Sequence, residues 1–340
     1  MTETGDDAYA RSGVSQGAAD AAVDALLESL RAIDPGRESR QAIGPGHYAS
    51  VVRLDARRGL ALSTDGVGTK LVLAEQLGRW DSVGIDCVAM NVNDVICVGA
   101  EPIAMLDYIA VPAADPEIMR DLGKGLRAGA EAAGIEIPGG ELAQLGEIVR
   151  GLDLVGACVG LVDLDSIVNG AAVEPGDAVI GLPSSGLHSN GYTLARRVLE
   201  GIALDDERLG RPLGDVLLEP TEIYVRAVLD LLRSPVEVRG LAHITSGGLG
   251  NLLRLEAEVG YEIDDPLPVP PVFRLIAEQG SVADEEMHEV FNMGCGFCCV
   301  VAARDAGPAL DLLRGHYAAA NRVGHATSEA GAVRRVRDDR

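Results

Sequence analysis

A glycine-containing loop at residues 65–70 holds the residue types that phosphate chemistry needs. It reads Asp65, Gly66, Val67, Gly68, Thr69 and Lys70. Glycines let backbone amides approach an anion, an ammonium neutralises phosphate charge, and a carboxylate can hold a magnesium ion that bridges phosphates. The spacing differs from that of the nucleotide P-loop, and a tight surface turn is the competing interpretation. Because the chain has only one other lysine, Lys124, we favour the phosphate interpretation.

Acidic and amide side chains follow at three further points. Asn93 and Asp94 lie within an apolar stretch that predicts a buried helix, where a carboxylate needs a metal, a cation or hydrogen-bond partners. Asp107 is on the next predicted strand, and Glu141 follows two glycines in a predicted loop. Magnesium takes one or two carboxylates together with phosphate oxygens and water, so these acids are candidate ligands. An internal helix cap is the competing interpretation for Asp94, and the role of Asp107 stays open.

Two more loops combine glycine with hydroxyl, amide and imidazole side chains, and each precedes a predicted helix. The 184–190 loop contains Ser184, Ser185, Gly186, Leu187, His188, Ser189 and Asn190. The 243–248 loop contains His243, Ile244, Thr245, Ser246, Gly247 and Gly248. Helix N-termini offer free amides and positive partial charge, which suits phosphate, whereas a plain N-cap is the competing interpretation of the first loop. Spacing alone gives neither histidine an acid or base role.

Three weaker patterns predict no site. Residues 44–49 imitate a dinucleotide fingerprint but lack a preceding strand, and no hydrolase elbow of the Gly-x-Ser-x-Gly type is present. Cys295 and Cys298 have metal-ligand spacing without a second pair. We expect all 6 cysteines to be buried thiols in a reducing cytoplasm.

The elements that must position these loops alternate between strands and helices. Apolar runs predict strands at residues 60–64, 105–111, 152–162, 178–182 and 297–303. Helical periodicity and caps predict helices at residues 18–33, 83–98, 115–134, 190–202 and 306–320, with others from 221 and after 246–250. A chain of 340 residues is long for one core, so we predict two mixed-sheet domains of the α/β (α+β) class, at 1–169 and 170–340.

The charge balance excludes one class of partner. The formal net charge is −23 and the pI is near 4.6, a surface that repels nucleic acid. Apolar runs are too short to span a bilayer, and the acidic first residues do not form a secretory signal. We therefore expect a soluble cytoplasmic protein that contacts neither nucleic acid nor membrane.

In this order, the loops resemble those of the phosphoribosylformylglycinamidine cyclo-ligase (aminoimidazole ribonucleotide synthetase) family, within a superfamily that includes thiamine-phosphate kinase and selenophosphate synthetase. The resemblance spans nearly the whole chain. It includes residues 9–14, 65–70, 84–86, 93–94, 106–108, 139–141, 184–192, 243–248 and 291–294. The 65–70 loop and residues 188–191 are specific when found together, whereas either alone indicates only the superfamily.

The resemblance implies a homodimer joined through the N-terminal sheet, with magnesium-ATP as co-substrate. It implies that ATP phosphorylates the amide oxygen of formylglycinamidine ribonucleotide, and that ring closure then gives aminoimidazole ribonucleotide in purine biosynthesis. Lys70, His188 and His243 would be catalytic. The ATP and phosphate contacts would be Asp65, Gly66, Gly68, Thr69, Lys70, Asn93 and Asp94, and the metal ligands Asp65, Asp94 and Glu141. The substrate contacts would be Ser184, Ser185, Gly186, His188, Ser189, Asn190, Thr245, Gly247 and Gly248.

The sequence departs from the family at three places. After Glu141 the family has a second acid and a proline, where this chain has Gln144 and Gly146. A triple glycine is replaced by Ser246, Gly247 and Gly248, and the N-terminal glycine-rich loop is poorly matched around residues 43–50. These departures leave open another phosphotransferase of the superfamily, resembling thiamine-phosphate kinase, or a non-catalytic metabolite-binding paralogue. Selenophosphate synthetase is disfavoured because the first cysteine is Cys87.

Overall fold

The computed structural model describes residues 16–336. Residues 9–14, which contribute to the resemblance, and the acidic first residues lie outside this range. The first half contains α1 (Gln16–Arg31), β1 (Gln41–Ile43), β2 (Ser50–Arg53), β3 (Arg58–Gly66), α2 (Lys70–Leu77), α3 (Asp81–Ile96), β4 (Glu101–Val111), α4 (Pro116–Ala133), β5 (Glu136–Gln144) and β6 (Asp153–Asp163).

The first sheet has the strand order β1-β2-β3-β6-β4-β5. Only β4 and β5 pair in parallel, and α4 connects them as a crossover helix. Helix α4 begins and ends where local signals place it, because Asp115 accepts from the Glu117 amide and Gly134 adopts a left-handed φ of +74°. The prediction of this helix from its caps is confirmed.

Helices α3 and α4 cover one face of this sheet and cross at two glycines. A Cβ on Gly84 would lie 2.6 Å from the Leu122 carbonyl oxygen, and one on Gly125 would lie 1.7 Å from the Asp81 carbonyl oxygen. The two backbones are therefore in direct contact, which any side chain at either glycine would prevent.

The opposite face of the sheet has no covering layer in the described part of the chain. Leu62 of β3, Leu106 and Tyr108 of β4, and Val155 of β6 point to this face, as the strand register shows. Leu106 is 51% exposed and Tyr108 is 42% exposed. A broad apolar sheet face of this kind marks an interaction surface.

The second half contains β7 (Ala178–Pro183), α5 (Tyr192–Val198), α6 (Leu213–Leu217), α7 (Val225–Arg233), β8 (Val238–His243), β9 (Gly260–Ile263), α8 (Pro271–Gly280), α9 (Asp284–Val290), β10 (Cys295–Val301), α10 (Ala306–His316), β11 (Asn321–Thr327) and β12 (Val333–Arg335). Their sheet has the order β12-β9-β11-β7-β10-β8, and only β12 and β9 pair in parallel. Three short 3₁₀ helices are also present, at Leu164–Ser166, Gly248–Arg254 and Ala303–Asp305.

Two mixed sheets with helices confirm the predicted fold class. The division at 169/170 falls between the last strand of the first sheet and the first strand of the second, and stays a prediction. Among residues 16–336, no helix is long and apolar enough to cross a bilayer.

Several elements differ from their predictions. The helix predicted from residue 221 begins at Val225, because side chains from the first half bind the backbone of the preceding residues. The helix predicted after the 243–248 loop is a 3₁₀ helix, and the one predicted at 190–202 is only α5. Glu141 lies on strand β5 rather than in a loop.

Candidate active site

Asp65 stands near the end of β3 in a constrained position. Its backbone N–H donates to Asn91 Oδ1 at 3.0 Å, and Asn91 Nδ2 donates to the Asp65 carbonyl oxygen at 3.1 Å. Its own Oδ1 accepts from the Gly66 amide at 2.7 Å. Burial, followed by the negative charge of Asp94, raises the pKa of Asp65 to about 6. A buried carboxylate next to a second negative charge suits a bound cation, which would stabilise its ionised form.

Asp94 and His243 join the two halves of the chain. His243 Nδ1 lies 2.9 Å from Asp94 Oδ1, and the imidazole is fully buried at the end of β8. Because an ionised carboxylate only accepts, Nδ1 is the donor, and in the neutral form of the ring Nε2 is then the acceptor. Nε2 has no hydrogen-bond partner among the described residues. Asp94 therefore fixes the tautomer and orientation of an imidazole with a vacant acceptor nitrogen.

Lys70 is not placed as the phosphate interpretation predicts. It is the first residue of α2, and its side chain and that of Asp86 are both 0% exposed. Nζ lies 2.7 Å from Asp86 Oδ2 and donates to the carbonyl oxygens of Glu219 at 2.7 Å and His188 at 3.1 Å. The ammonium thus makes two hydrogen bonds and one close ion-pair contact, all of them within the protein. The predicted contact between Lys70 and a phosphate is therefore not supported by this geometry.

Asn93 is also committed to internal contacts. It is fully buried, its Nδ2 donates to the Glu222 carbonyl oxygen at 2.8 Å, and its Oδ1 accepts from the Tyr224 amide at 3.0 Å. Complete burial and these two bonds give Asn93 a structural role, in which it ties α3 to residues 222–224 of the second half. The predicted phosphate contact from Asn93 is not supported by this geometry.

The remaining part of the 65–70 loop is open. Gly68 adopts a φ of +72°, a conformation that favours glycine. Gly68 and Thr69 are exposed, and the Thr69 hydroxyl lies 3.1 Å from that of Thr193 on α5. Together with Gly66, these residues remain candidate phosphate contacts.

The 184–190 loop is held by Asn292. Ser184 Oγ donates to Asn292 Oδ1 at 2.9 Å, and Asn292 Nδ2 donates to the Gly186 carbonyl oxygen at 2.9 Å. Ser185 Oγ donates to the Pro220 carbonyl oxygen at 2.5 Å. Three polar groups of the loop thus have partners before any ligand is present.

His188 is a core histidine in this structure. Its φ is +62°, and its Nε2 accepts from the Ser185 amide at 3.3 Å. Burial lowers the pKa of His188 well below its usual value, so the ring is neutral. The ring packs closely on Gly296, where a Cβ would lie 2.5 Å from His188 Cε1. A catalytic role for His188 is therefore not supported by its surroundings, although its loop stays a candidate substrate contact.

The 184–190 and 243–248 loops meet. Ser246 Oγ donates to Asn190 Oδ1 at 3.2 Å, and Ser189 Oγ lies 3.4 Å from the hydroxyl of Thr221. The Thr245 amide donates to Asn251 Oδ1 at 2.8 Å. The structure thus brings together loops that are 56 residues apart in the chain.

Gly247 and Gly248 turn the chain into the 3₁₀ helix. Their φ values are +98° and +53°, and a Cβ on Gly248 would lie 1.9 Å from the His288 carbonyl oxygen. Only glycine fits at Gly248, so its presence has a structural explanation that is independent of substrate.

Glu141 and Asp107 lie on opposite faces of the first sheet. Asp65 and Asp107 both pair with Gly156, and these three residues share the face that α3 covers. Glu141 pairs with Tyr108, so the two-residue period of a strand directs it to the uncovered face. In the described part of the chain, Asp65, Asp94 and Glu141 do not bring three ligand atoms within 4.8 Å of one another. One chain alone therefore does not assemble the predicted three-ligand metal site.

Comparisons with known proteins show the family to which the chain belongs. Models of the AIR synthase related protein match residues 46–162 with the N-terminal domain and residues 174–337 with the C-terminal domain. The phosphoribosylformylglycinamidine cyclo-ligase of Methanothermobacter thermautotrophicus is 50% identical over 312 residues, which cover 90% of each chain. The chain belongs to the phosphoribosylformylglycinamidine cyclo-ligase family. The family member of Pyrococcus furiosus is 46% identical over 312 residues, covering 91% of this chain and 92% of its own.

Solved structures share the fold of the family at low identity. A HypE–HypF complex matches with a TM-score of 0.65 and 19% identity, over 92% of this chain and 96% of that chain. AaThiL complexed with AMPPCP and TMP matches with a TM-score of 0.66 and 16% identity, over 93% of this chain and 94% of that chain. These similarities show the fold alone.

Gln144 replaces an acid that the family is expected to have, and it has a structural use. Its Oε1 accepts from the Ala114 amide at 3.1 Å, which caps the turn between β4 and α4. Gln144 therefore ties the end of β5 to a neighbouring turn and is not placed as a metal ligand.

Sequence reasoning missed a second cluster, formed by Tyr48, Asn251 and Arg254. Tyr48 Oη donates to the Asn251 carbonyl oxygen at 2.8 Å, and the Arg254 guanidinium lies 4.9 Å from the centre of the Tyr48 ring. Burial and then the guanidinium charge lower the pKa of the His47 imidazole, and at Asp65 the same charge offsets a small part of the raised pKa. Arg254 is thus a cation whose charge acts on Asp65. Tyr48 was not singled out from the sequence, because residues 43–50 match the N-terminal glycine-rich loop of the family poorly.

His47 makes stability depend on pH. Neither of its ring nitrogens has a hydrogen-bond partner among residues 16–336, and burial, with a smaller effect of Arg254, lowers its pKa to about 4. An unfolded histidine titrates near 6.5. The unfolded chain therefore binds more protons, and the stability present above about pH 6.5 is lost as the pH falls toward 4.

We expect the His47→Gln variant to lose less stability than the parent chain between pH 7 and pH 5, by about 1–2 kcal/mol. Urea unfolding of both proteins at the two pH values measures this difference. Equal losses in the two proteins would show that His47 is not held neutral.

Proposed function

We propose that the chain catalyses ATP-dependent ring closure of formylglycinamidine ribonucleotide to aminoimidazole ribonucleotide, a step of purine biosynthesis. The observation that carries the proposal is the 50% identity to a phosphoribosylformylglycinamidine cyclo-ligase over 90% of both chains. The site supports it, because Asp94 contacts a buried imidazole and acts on the charge of Asp65, and two loops with anion-binding composition contact each other.

Magnesium-ATP is compatible with the acids of this site. Asp65 and Asp94 are the residues that would hold the metal, since a cation would offset both the burial of the Asp65 carboxylate and the negative charge of Asp94, which together raise the pKa of Asp65. A bound magnesium ion supplies positive charge to the phosphates. Arg254 has a smaller, opposite effect on the pKa of Asp65 and would add positive charge to the site. Glu141 is on the uncovered sheet face, so its predicted role as a ligand would need a second copy of the chain.

The reaction needs orientation and a proton acceptor. The amide oxygen takes the γ-phosphoryl group of ATP, and the amidine nitrogen then attacks the amide carbon. The new carbon–nitrogen bond forms as the carbon–oxygen bond breaks and phosphate leaves. Nε2 of His243 would accept the proton that this nitrogen loses, because Asp94 directs the free lone pair and stabilises the resulting imidazolium. Most of the remaining rate enhancement would come from holding the two reacting ends of one substrate close together.

The 184–190 and 243–248 loops would hold the ribose phosphate of the substrate. The two loops meet through Ser246 and Asn190. Gly186 and Ser189 from one loop, and Thr245 and Gly247 from the other, would complete the anion site with Asn190. The substrate would then extend from this anion site toward Asp65 and Asp94.

Product analysis tests the proposal against the kinase alternative. We expect formylglycinamidine ribonucleotide and ATP to give free phosphate and aminoimidazole ribonucleotide in equal amounts, measured by chromatography. A stable phosphorylated product, or turnover of thiamine phosphate in place of this substrate, would overturn the proposal in favour of a phosphotransferase. ATP binding without any turnover would favour a metabolite-binding paralogue.

We also propose a cytoplasmic homodimer that buries the uncovered face of the first sheet. The exposed Leu62, Leu106 and Tyr108 support the interface, and the 6 cysteines, all of them free and buried, suit a reducing compartment.

We expect light scattering to give about twice the 35.4 kDa mass of one chain for the parent protein. The Leu106→Asp variant should dissociate, because it buries an unpaired charge at the interface. Leu253→Asp changes another exposed leucine, outside this face, and is the matched control. A monomeric parent, or a Leu106→Asp variant that stays dimeric, would contradict the proposed interface.

A further inference from the structure

Residues 219–224 connect α6 to α7 without regular secondary structure, yet side chains from the first half of the chain bind them closely. Lys70 Nζ donates to the Glu219 carbonyl oxygen at 2.7 Å. Asp86 Oδ1 accepts from both the amide and the hydroxyl of Thr221, at 2.7 Å and 2.6 Å. The backbone of this segment is thus bound by side chains of the first half rather than by a helix of its own.

The same segment also contacts the 184–190 loop. Ser185 Oγ donates to the Pro220 carbonyl oxygen at 2.5 Å, and Ser189 Oγ lies 3.4 Å from Thr221 Oγ1. Lys70 contacts the loop directly as well, through the His188 carbonyl oxygen at 3.1 Å. Residues 219–224 therefore lie between α3 and the loop, and bind both.

Charge and burial make this arrangement unusual. Lys70 and Asp86 are completely shielded from solvent, and their removal from water is costly unless every proton and lone pair is well placed. A buried ion pair contributes little net stability compared with apolar packing, and its best attested use is to specify one arrangement of the chain. Here the arrangement that it specifies is the position of the 184–190 loop relative to the 65–70 loop.

We infer that Lys70 and Asp86 are positioning residues, which fix the 184–190 loop through residues 219–224, and that Lys70 does not bind a phosphate. The two halves of the chain are connected here through Lys70, Asp86 and Thr221. The inference about the contacts of Lys70 is independent of the substrate, whereas its kinetic consequence rests on the proposed function.

Amine acylation tests the location of Lys70, because the chain has only two lysines. Lys124 is the internal control, since its side chain is 66% exposed and contacts only Asp121. In the native protein we expect acetic anhydride to acylate Lys70 on the order of 100-fold more slowly than Lys124, since Lys70 reacts only after local unfolding. This protection should be present without Mg-ATP, which can only slow the Lys70 reaction further by stabilising the folded loop. Peptide mass spectrometry measures both rates.

A Lys124→Arg variant, which has Lys70 as its only lysine, checks the assignment. Its native form should show no rapid lysine acylation, and the urea-unfolded form should react at Lys70. Rapid acylation of Lys70 that Mg-ATP suppresses would overturn the inference and restore the phosphate contact.

Substitution of Thr221 tests positioning without removing a buried charge. In Thr221→Val, which loses the hydroxyl contacts to Asp86 and Ser189, we expect the KM for the phosphorylated substrate to rise on the order of 10-fold, with an unchanged KM for ATP. Thr221→Ser keeps the hydroxyl and should restore the parent KM, a rescue that a general loss of stability would not follow. A raised KM for ATP alone, or no change in either KM, would overturn the inference. If the parent chain does not turn over the substrate, the acylation result still decides the place of Lys70.

Discussion

The Asp94→Asn variant is expected to lose about 10²–10³-fold in kcat/KM with little change in fold. Asp94 is one of the two acids that fit the metal, and it orients His243 through the 2.9 Å contact to Nδ1. An asparagine can present its amide nitrogen to Nδ1, which selects the wrong tautomer and places the proton on Nε2. Steady-state kinetics with varied ATP and varied substrate measure the loss.

Asp81→Asn is the matched control for this variant. Asp81 begins the same helix α3, and its side chain is exposed. The control should keep the parent kcat/KM within about two-fold, as surface substitutions usually do. If Asp94→Asn also stays within that range, Asp94 neither binds the metal nor orients a catalytic His243.

Replacement of Lys70 by methionine is expected to lower the free energy of unfolding by about 3–5 kcal/mol, because it leaves the Asp86 carboxylate buried without a cation. The double variant Lys70→Met/Asp86→Asn should recover part of this loss, since it leaves an apolar side chain and a neutral amide in place of a buried unpaired charge. The coupling between the two substitutions, measured by urea unfolding of the four proteins, separates the ion pair from general packing.

Lys124→Met controls for the loss of a lysine at the surface. Its contact to Asp121 is exposed, so the expected change is about 0–1 kcal/mol. A Lys70→Met variant as stable as Lys124→Met would show that Lys70 and Asp86 are not a buried pair in solution.

Local signals predicted the elements whose boundaries depend on neighbouring residues. Helix α4 is bounded by Asp115, Pro116 and Gly134, all of them visible in the sequence. Strand β6 coincides with the run of apolar residues and glycines from which it was predicted. The helix predicted from residue 221 was wrong at its start, because the Thr221 backbone is bound by Asp86, which lies 135 residues earlier. Tertiary contacts of this kind leave no local pattern to read.

The candidate site was predictable in composition more than in geometry. The 65–70, 184–190 and 243–248 loops were all singled out from their glycine and polar residues. The burial of Lys70 was not predictable, because its oxygen partners in the second half lie 118 and 149 residues further along the chain. Glu141 was assigned to the metal because a Gly-Gly-Glu run was interpreted as a loop, and as part of β5 its side chain takes the face that strand alternation dictates.

Helix α3 carries Asp86, Asn91, Asn93 and Asp94, and each contacts a different part of the molecule. One residue of an α-helix corresponds to a rotation of about 100°. A single deletion at residues 87–90 would turn the last three side chains away from their partners while Asp86 stayed in place. Natural length variation among relatives of this chain should therefore be absent from α3 and confined to loops, a pattern set by helical phase rather than by any one contact.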